Sequence, residues 1–294
     1  MFKGIYTPIV TPFDADEQIN YDYLKHNLDS WGKTDLDGIV VLGSNGEFVY
    51  LNKEEKMQLV KFVKENFNPN KKILVGTACE STKETVEFSK EIAALGVDAV
   101  LLLPPHYYKG GMTEEVLYKY FMDVADAVPI PVMLYNMPGN TGINLSSGLV
   151  AKLAKHPNIV GVKDTSGNIV QISEIVRDTD EDFAVFAGNT GYLLPSLAVG
   201  ARGATLALAN IIPEECCKLV SLFNEGKLAE AKELQLRMLE INFAVTGRFG
   251  ISALKYALDL LGYKGGESRR PLVPILEENK KIIRELLIKY GALS

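Results

Sequence analysis

The sequence predicts a (β/α)8 TIM barrel followed by a C-terminal helical appendage, and three observations predict it. Eight short runs rich in Val, Ile and Leu recur along the 294 residues. Longer segments of helical periodicity separate them, the pattern of repeated βα units around a parallel sheet. The runs also lack polar alternation, as strands covered on both faces do. A doubly wound open sheet shares the alternation, but eight units with extra helices after them favour the closed barrel.

The runs, in order, are GIYTPIV from Gly4, GIVVLG from Gly38, KILVGTA from Lys72, AVLLLPP from Ala99, PVMLYNMP from Pro131, IVGVKD from Ile159, FAVFAG from Phe183 and GATLALA from Gly203. Between them, Asn52 precedes KEEKMQLVKFVKE with Glu55 three residues on. Ser81 likewise precedes TKETVEFSKEI with Glu84 three on. Both read as capped starts of amphipathic helices. From about Pro213 onward the chain reads as helical, including LAEAKELQLRMLEINFAV and ISALKYALDLLG. That is more than one closing helix requires. No Gly-rich or Pro-rich linker divides the chain, so residues 1–224 are expected to form the barrel and residues 225–294 an appendage packed on it.

Composition narrows the function. At 47% hydrophobic and 23% charged residues the chain can bury a large core. Lys and Arg number 31 against 37 Asp and Glu, with no long run of either sign, so a nucleic-acid partner is not expected. Pro8 and Pro12 interrupt the opening apolar stretch far short of a secretory or membrane-spanning segment. The three cysteines, Cys79, Cys216 and Cys217, make neither a CxxC pair nor an even framework, and a reducing cytoplasm fits them best.

In a barrel of this type the site lies at the C-terminal ends of the strands, so the polar residues that follow each run are the candidates. The second run ends in Gly43, Ser44, Asn45, Gly46 and Glu47, and the fourth leads into His106, Tyr107 and Tyr108. The fifth carries Tyr135 and Asn136, the sixth Lys163, Asp164 and Thr165, and the seventh ends at Gly188 and Asn189. Lys163 stands out because an ammonium inside IVGVKD is costly to bury. Burial disfavours the charged form of an amine, which suits attack on a ketone. The plain alternative is a lysine that snorkels to the rim or pairs with Asp164. Tyr135 either fills core or, from a neighbouring strand, moves a proton between substrate hydroxyls and an imine nitrogen. GSNGE places small polar residues and two glycines after a strand, fit for a carboxylate cradle or for an ordinary tight turn, and lacks the spacing of a dinucleotide fingerprint. Metal and hydrolase readings are poor. His26 and His156 fall in expected helices, His106 in a loop, and no HxH, HExxH or G-x-S-x-G spacing occurs.

With these residues in place, the chain resembles the superfamily of dihydrodipicolinate synthase and N-acetylneuraminate lyase from TPIVTPF to its last helices. GSNGE matches the family's G[TS]xGE carboxylate loop, YNMPGNTG its YN-P segment, and GVKDTSGN its lysine segment, all in order. The resemblance implies a class I pyruvate aldolase or lyase with Lys163 as Schiff-base former and Tyr135 as acid/base, and no metal or organic cofactor. It further implies that Ser44 and Asn45 bind the 2-oxo acid carboxylate and that Thr165 and Gly188 touch substrate. Tyr107 aligns with a tyrosine inserted into a neighbouring subunit's site to join Ser44 and Tyr135 in a proton relay, within a homotetramer built as a dimer of dimers.

Departures from the family pattern point to a branch. Dihydrodipicolinate synthases carry arginine where this chain has Asn140, and neuraminate lyases show other residues at Asn45 and Asp164. GSNGE, GNTG, HPNIVGVKD and AVTGRFGISALK look most like the 4-hydroxy-2-oxoglutarate aldolase branch, with deoxy-sugar-acid aldolases and dehydratases close behind. The expected reaction is therefore cleavage of 4-hydroxy-2-oxoglutarate to pyruvate and glyoxylate, with 4-hydroxy-tetrahydrodipicolinate synthase among the alternatives. Arg248, in TGRFG, is expected to form a surface ion pair, or else to hold a second carboxylate.

Overall fold

The protein, described by a computed structural model, has defined structure over residues 2–293. Each of the eight apolar runs forms a strand: β1 Gly4–Pro8, β2 Gly38–Val41, β3 Lys72–Gly76, β4 Ala99–Leu102, β5 Val132–Asn136, β6 Ile159–Asp164, β7 Ala184–Ala187 and β8 Gly203–Thr205. All pair in parallel with their sequence neighbours, and β8 returns to β1 through Gly4↔Gly203 and Tyr6↔Thr205, which closes the barrel. The eighth run yields the shortest strand. Its LALA half turns into a 3-10 helix over Ala207–Asn210, where the Asn210 side-chain amide donates to the Pro8 and Ala207 carbonyls and draws the chain across β1.

Helices Tyr21–Trp31, Lys53–Asn66, Thr82–Ala93, Glu114–Ala127, Ser147–Leu153, Ile169–Asp178, Leu193–Ala198 and Pro213–Asn224 alternate with the strands. At Asn52 both halves of the capping box form, with Asn52 Oδ1 accepting from Glu55 N and Glu55 accepting from Asn52 N, each at 2.9 Å. Ser81 caps Glu84 N in the same way. His156 falls in the turn after Ser147–Leu153 rather than in a helix; its Nε2 lies 3.0 Å from Asp126, and Nδ1 accepts from Asn158 N.

Two packed layers follow from the closed sheet. Side chains of one parity, including Tyr6, Val40, Leu74, Leu101, Met133 and Phe186, fill the barrel interior. Those of the other parity pack against the helices. Trp31, fully buried, donates its indole N–H to the Asn210 carbonyl at 3.0 Å and so ties the first helix to the end of the barrel.

Beyond Asn224 come helices Leu228–Phe243, Gly250–Leu260 and Glu277–Tyr290, with a π-helical turn over Ala244–Arg248 between the first two. Gln235 on the first of these donates to the Thr190 carbonyl (2.8 Å) and accepts from Leu194 N (3.0 Å), seating that helix beside the end of β7. Among the described residues no helix is long and apolar enough to cross a bilayer.

Where strands β8 and β1 meet, a Cβ on Gly203 would lie 2.2 Å from the Gly4 carbonyl oxygen and 3.0 Å from the Phe186 ring. Gly203→Ala is therefore expected to cost about 1–3 kcal/mol or more through overpacking, read as a lower urea midpoint. Gly148→Ala meets nothing within 4 Å at an exposed position of the helix Ser147–Leu153 and should be neutral or stabilising by up to ~1 kcal/mol. Equal midpoints for the two variants would contradict the close strand approach.

Candidate active site

A cavity of about 520 Å³ opens at the C-terminal ends of the strands. Lys163 and Tyr135 form its floor. They are direct partners in the β5–β6 register, so both project into the barrel, and the Lys163 Nζ lies 4.0 Å from the Tyr135 ring centroid. Lys163 is 3% exposed, which excludes a snorkelling side chain.

Asp164 does not pair with it either. It is fully buried and turned the other way, accepting from Asn136 Nδ2 (2.8 Å), Gln171 Nε2 (2.9 Å) and Ser166 N (2.8 Å), and from the Ser166 hydroxyl. Asn136 in turn accepts from Leu145 N at 2.9 Å. This network satisfies a buried carboxylate without a cation and stiffens the strand ends that carry Lys163 and Tyr135.

Burial alone would raise the Tyr135 hydroxyl's pKa. The Lys163 charge, helped by the neighbouring Ser44 and Thr165 hydroxyls, outweighs it and holds that hydroxyl below the ordinary tyrosine value. Tyr192, whose hydroxyl donates to the Asp164 carbonyl at 3.0 Å, is pushed the opposite way by burial and by the Asp164 charge. Of the two phenols, Tyr135 is the one prepared to exchange a proton.

Ser44 and Asn45 open a 3-10 turn at the end of β2, and both line the cavity. The Asn45 Nδ2 is buried without a partner. Thr165 and Gly188 line the same wall. A Cβ on Gly188 would come within 2.2 Å of the Thr165 hydroxyl, so only glycine leaves that hydroxyl its place. Asn140, exposed on the short helix Pro138–Thr141, borders the outer half. The structure thus gathers Lys163, Tyr135, Ser44, Asn45, Thr165, Gly188 and Asn140 around one cavity.

Tyr107 is not among them. It is 76% exposed, stacked edge-on with Tyr108 at 5.1 Å, with its backbone N–H held by Glu80. His106 also pairs with Glu80, at 3.1 Å, outside the cavity. Arg248 forms neither the expected ion pair nor a cavity wall. The π-helical turn carries it to the surface, where its guanidinium lies 4.6 Å from the centroid of the Phe249 ring.

The appendage supplies the residues that the sequence reading missed. Asn242, Thr246 and Ile251 close the outer half of the cavity, with Thr246 and Gly247 on the π-helical turn. The Asn189 side-chain oxygen accepts from Gly191 N (2.8 Å) and from Asn242 Nδ2 (2.9 Å). That fixes the orientation of the Asn242 amide and leaves its Oδ1 buried without a partner. The one available signal was a polar residue on the apolar face of LAEAKELQLRMLEINF, three and four positions from Leu239 and Met238.

A model of the dihydrodipicolinate synthetase family matches residues 1–289. The chain belongs to that family. It is 34% identical over 289 residues to the 4-hydroxy-tetrahydrodipicolinate synthase of Oceanobacillus iheyensis, covering 98% of this chain and 97% of that one. To the synthase of the same name from Geotalea uraniireducens it is 36% identical over the full length of both. Among solved structures, a prophage protein of the family from E. coli K12, in complex with pyruvate, superposes with a TM-score of 0.93 at 30% identity over 99% of each chain. As a family member this chain is a class I, pyruvate-dependent carbon–carbon lyase or synthase that works through a lysine Schiff base. The expected 4-hydroxy-2-oxoglutarate aldolase branch finds no support among these relatives.

Lys163→Met keeps the aliphatic stem and removes the charge. The Tyr135 hydroxyl should then rise above the ordinary tyrosine range, because burial loses its main opponent. Titration of ¹³C-labelled tyrosine by NMR, with Tyr135→Phe to assign the signal, checks this. An unmoved titration would show that Lys163 does not hold the phenol down.

Proposed function

We propose that Lys163 is the amine that forms the imine with pyruvate and that Tyr135 is the proton carrier above it. The observation that carries this reading is the buried Lys163–Tyr135 pair at the centre of a cavity ringed by Ser44, Asn45, Thr165 and Gly188. After the Lys163 ammonium gives up a proton, its free amine adds to the ketone carbon, and loss of water gives a protonated imine that serves as electron sink. Loss of a C3 proton from bound pyruvate gives the enamine, whose C3 attacks an aldehyde. Tyr135 supplies the proton to the new C4 alkoxide, and in cleavage it removes that proton. Asn45, with its unpaired amide N–H, and the N–H groups that open the Ser44 turn suit the substrate carboxylate. Tyr107 does not line this cavity in its own chain, so its place in the relay with Ser44 belongs to a second copy, within a dimer of dimers.

Full-length relatives with that name support 4-hydroxy-tetrahydrodipicolinate synthase as the first reading of the reaction, with aspartate semialdehyde as acceptor. A second reading rests on the outer cavity wall. Its polar residues are Asn140, Asn189, Asn242 and Thr246, and Lys163 is the one cation among the described lining residues. The buried, unpartnered Asn242 Oδ1 calls for a donor, which a hydroxyl supplies and a second carboxylate does not. This favours a neutral hydroxylated aldehyde, as in a 2-keto-3-deoxy sugar acid, over glyoxylate.

Borohydride added with pyruvate should leave a reduced pyruvyl adduct on Lys163, visible in the intact mass and absent from Lys163→Met. Labelling at another lysine would overturn the assignment. The acceptor is decided by kcat/KM for condensation with aspartate semialdehyde beside pyruvate release from 2-keto-3-deoxygluconate and 4-hydroxy-2-oxoglutarate. Preference for aspartate semialdehyde sustains the first reading, and preference for 2-keto-3-deoxygluconate the second.

A further inference from the structure

Directly behind the Ser44–Asn45 turn lies an ion pair that the reaction itself does not use. Lys255, on the helix Gly250–Leu260, and Glu47, which ends GSNGE, are each 2% exposed, and their charged atoms are 2.5 Å apart. The ammonium also donates to the Thr11 (2.8 Å) and Glu267 (2.6 Å) carbonyls. The second carboxylate oxygen of Glu47 accepts from Arg269 N at 2.9 Å. Lys255 thus draws the N-terminal segment, the Glu267–Arg269 segment and the end of GSNGE onto one point.

Glu47 has a positive φ of 56°, a left-handed conformation between two 3-10 turns. For a residue with a Cβ this conformation is strained and persists only when the surroundings hold it. The side chain supplies the hold. Its carboxylate is anchored to Lys255, and the preceding Gly46 carbonyl accepts from the Thr11 hydroxyl at 2.7 Å. Asn45, whose amide is unpaired at the cavity wall, stands two residues from this anchor.

We infer that Lys255 and Glu47 are positioning residues: their buried pair sets the backbone of Ser44 and Asn45, and so the affinity for the carboxylate of the 2-oxo acid. The inference rests on the reading of Lys163 and the carboxylate turn given above. It makes the C-terminal appendage part of substrate binding at the inner half of the cavity, as Asn242 is at the outer half.

Lys255→Met preserves most of the buried volume. Replacing both partners by neutral groups of similar size is the better tolerated change, so Lys255→Met/Glu47→Gln accompanies it as the variant that keeps the fold. The readout is the pyruvate concentration that half-saturates borohydride trapping on Lys163. It should rise about tenfold, equivalent to about 1.4 kcal/mol, while adduct formation at saturating pyruvate stays complete. Placed in an Asn45→Ala background, the double change should add no further loss, because both act through one contact. A half-saturation point within twofold of the unmodified protein, or losses that add in full to those of Asn45→Ala, would reduce the pair to a scaffold role and overturn the inference. Absence of any adduct in the unmodified protein would instead sink the Schiff-base reading on which it rests.

Discussion

The floor of this barrel's cavity depends on one registration, Tyr135 opposite Lys163 on neighbouring parallel strands. Parallel pairing puts both side chains on the same face, and closure of the sheet turns that face inward. An amine in such a place cannot reach solvent, and a phenol beside it feels an undiluted charge. The shift of the Tyr135 hydroxyl below its ordinary range follows from that contact winning over burial. Asp164, one residue on, would disturb the balance if it faced the same way. Strand alternation points it outward, where Asn136, Gln171 and Ser166 satisfy it.

The rest of the site is a set of loops that this rigid floor does not position. The Ser44–Asn45 turn is held from outside the barrel by the Glu47–Lys255 pair, and the outer wall is completed by Asn242 and the π-helical turn. Both supports come from the helices beyond residue 224. The helices beyond residue 224 thus complete the wall of the cavity. In the proposed reaction the division also separates two tasks, with the amine and phenol common to any 2-oxo acid and the outer wall left to choose the aldehyde.

Much of this was legible in the sequence, for a physical reason. Strands buried on both faces must be continuously apolar, so the eight runs announced themselves, and a lysine inside one of them was conspicuous. Capping residues such as Asn52 act over three positions and were equally readable. Ser44, Asn45, Thr165 and Gly188 follow strand ends, and a barrel places all strand ends together. Arg248 lies at the surface as expected, but on a local π-helical turn, invisible to 3.6-residue periodicity, it meets the Phe249 ring instead of a carboxylate among the described residues. Asn242 and Lys255 were passed over, although each sits as a polar residue on an apolar helical face, which is the mark of a buried group with a partner elsewhere.

By itself, then, the sequence determined the barrel and the order of its elements, because strand periodicity and closure leave little freedom, and it marked the lysine and tyrosine as candidates. Only the tertiary structure decided which charges meet. Glu47 and Lys255 are separated by more than 200 residues, and Asn189 and Asn242 by 53. Contacts of that range depend on how helices beyond the barrel pack over its mouth, and no local pattern encodes that.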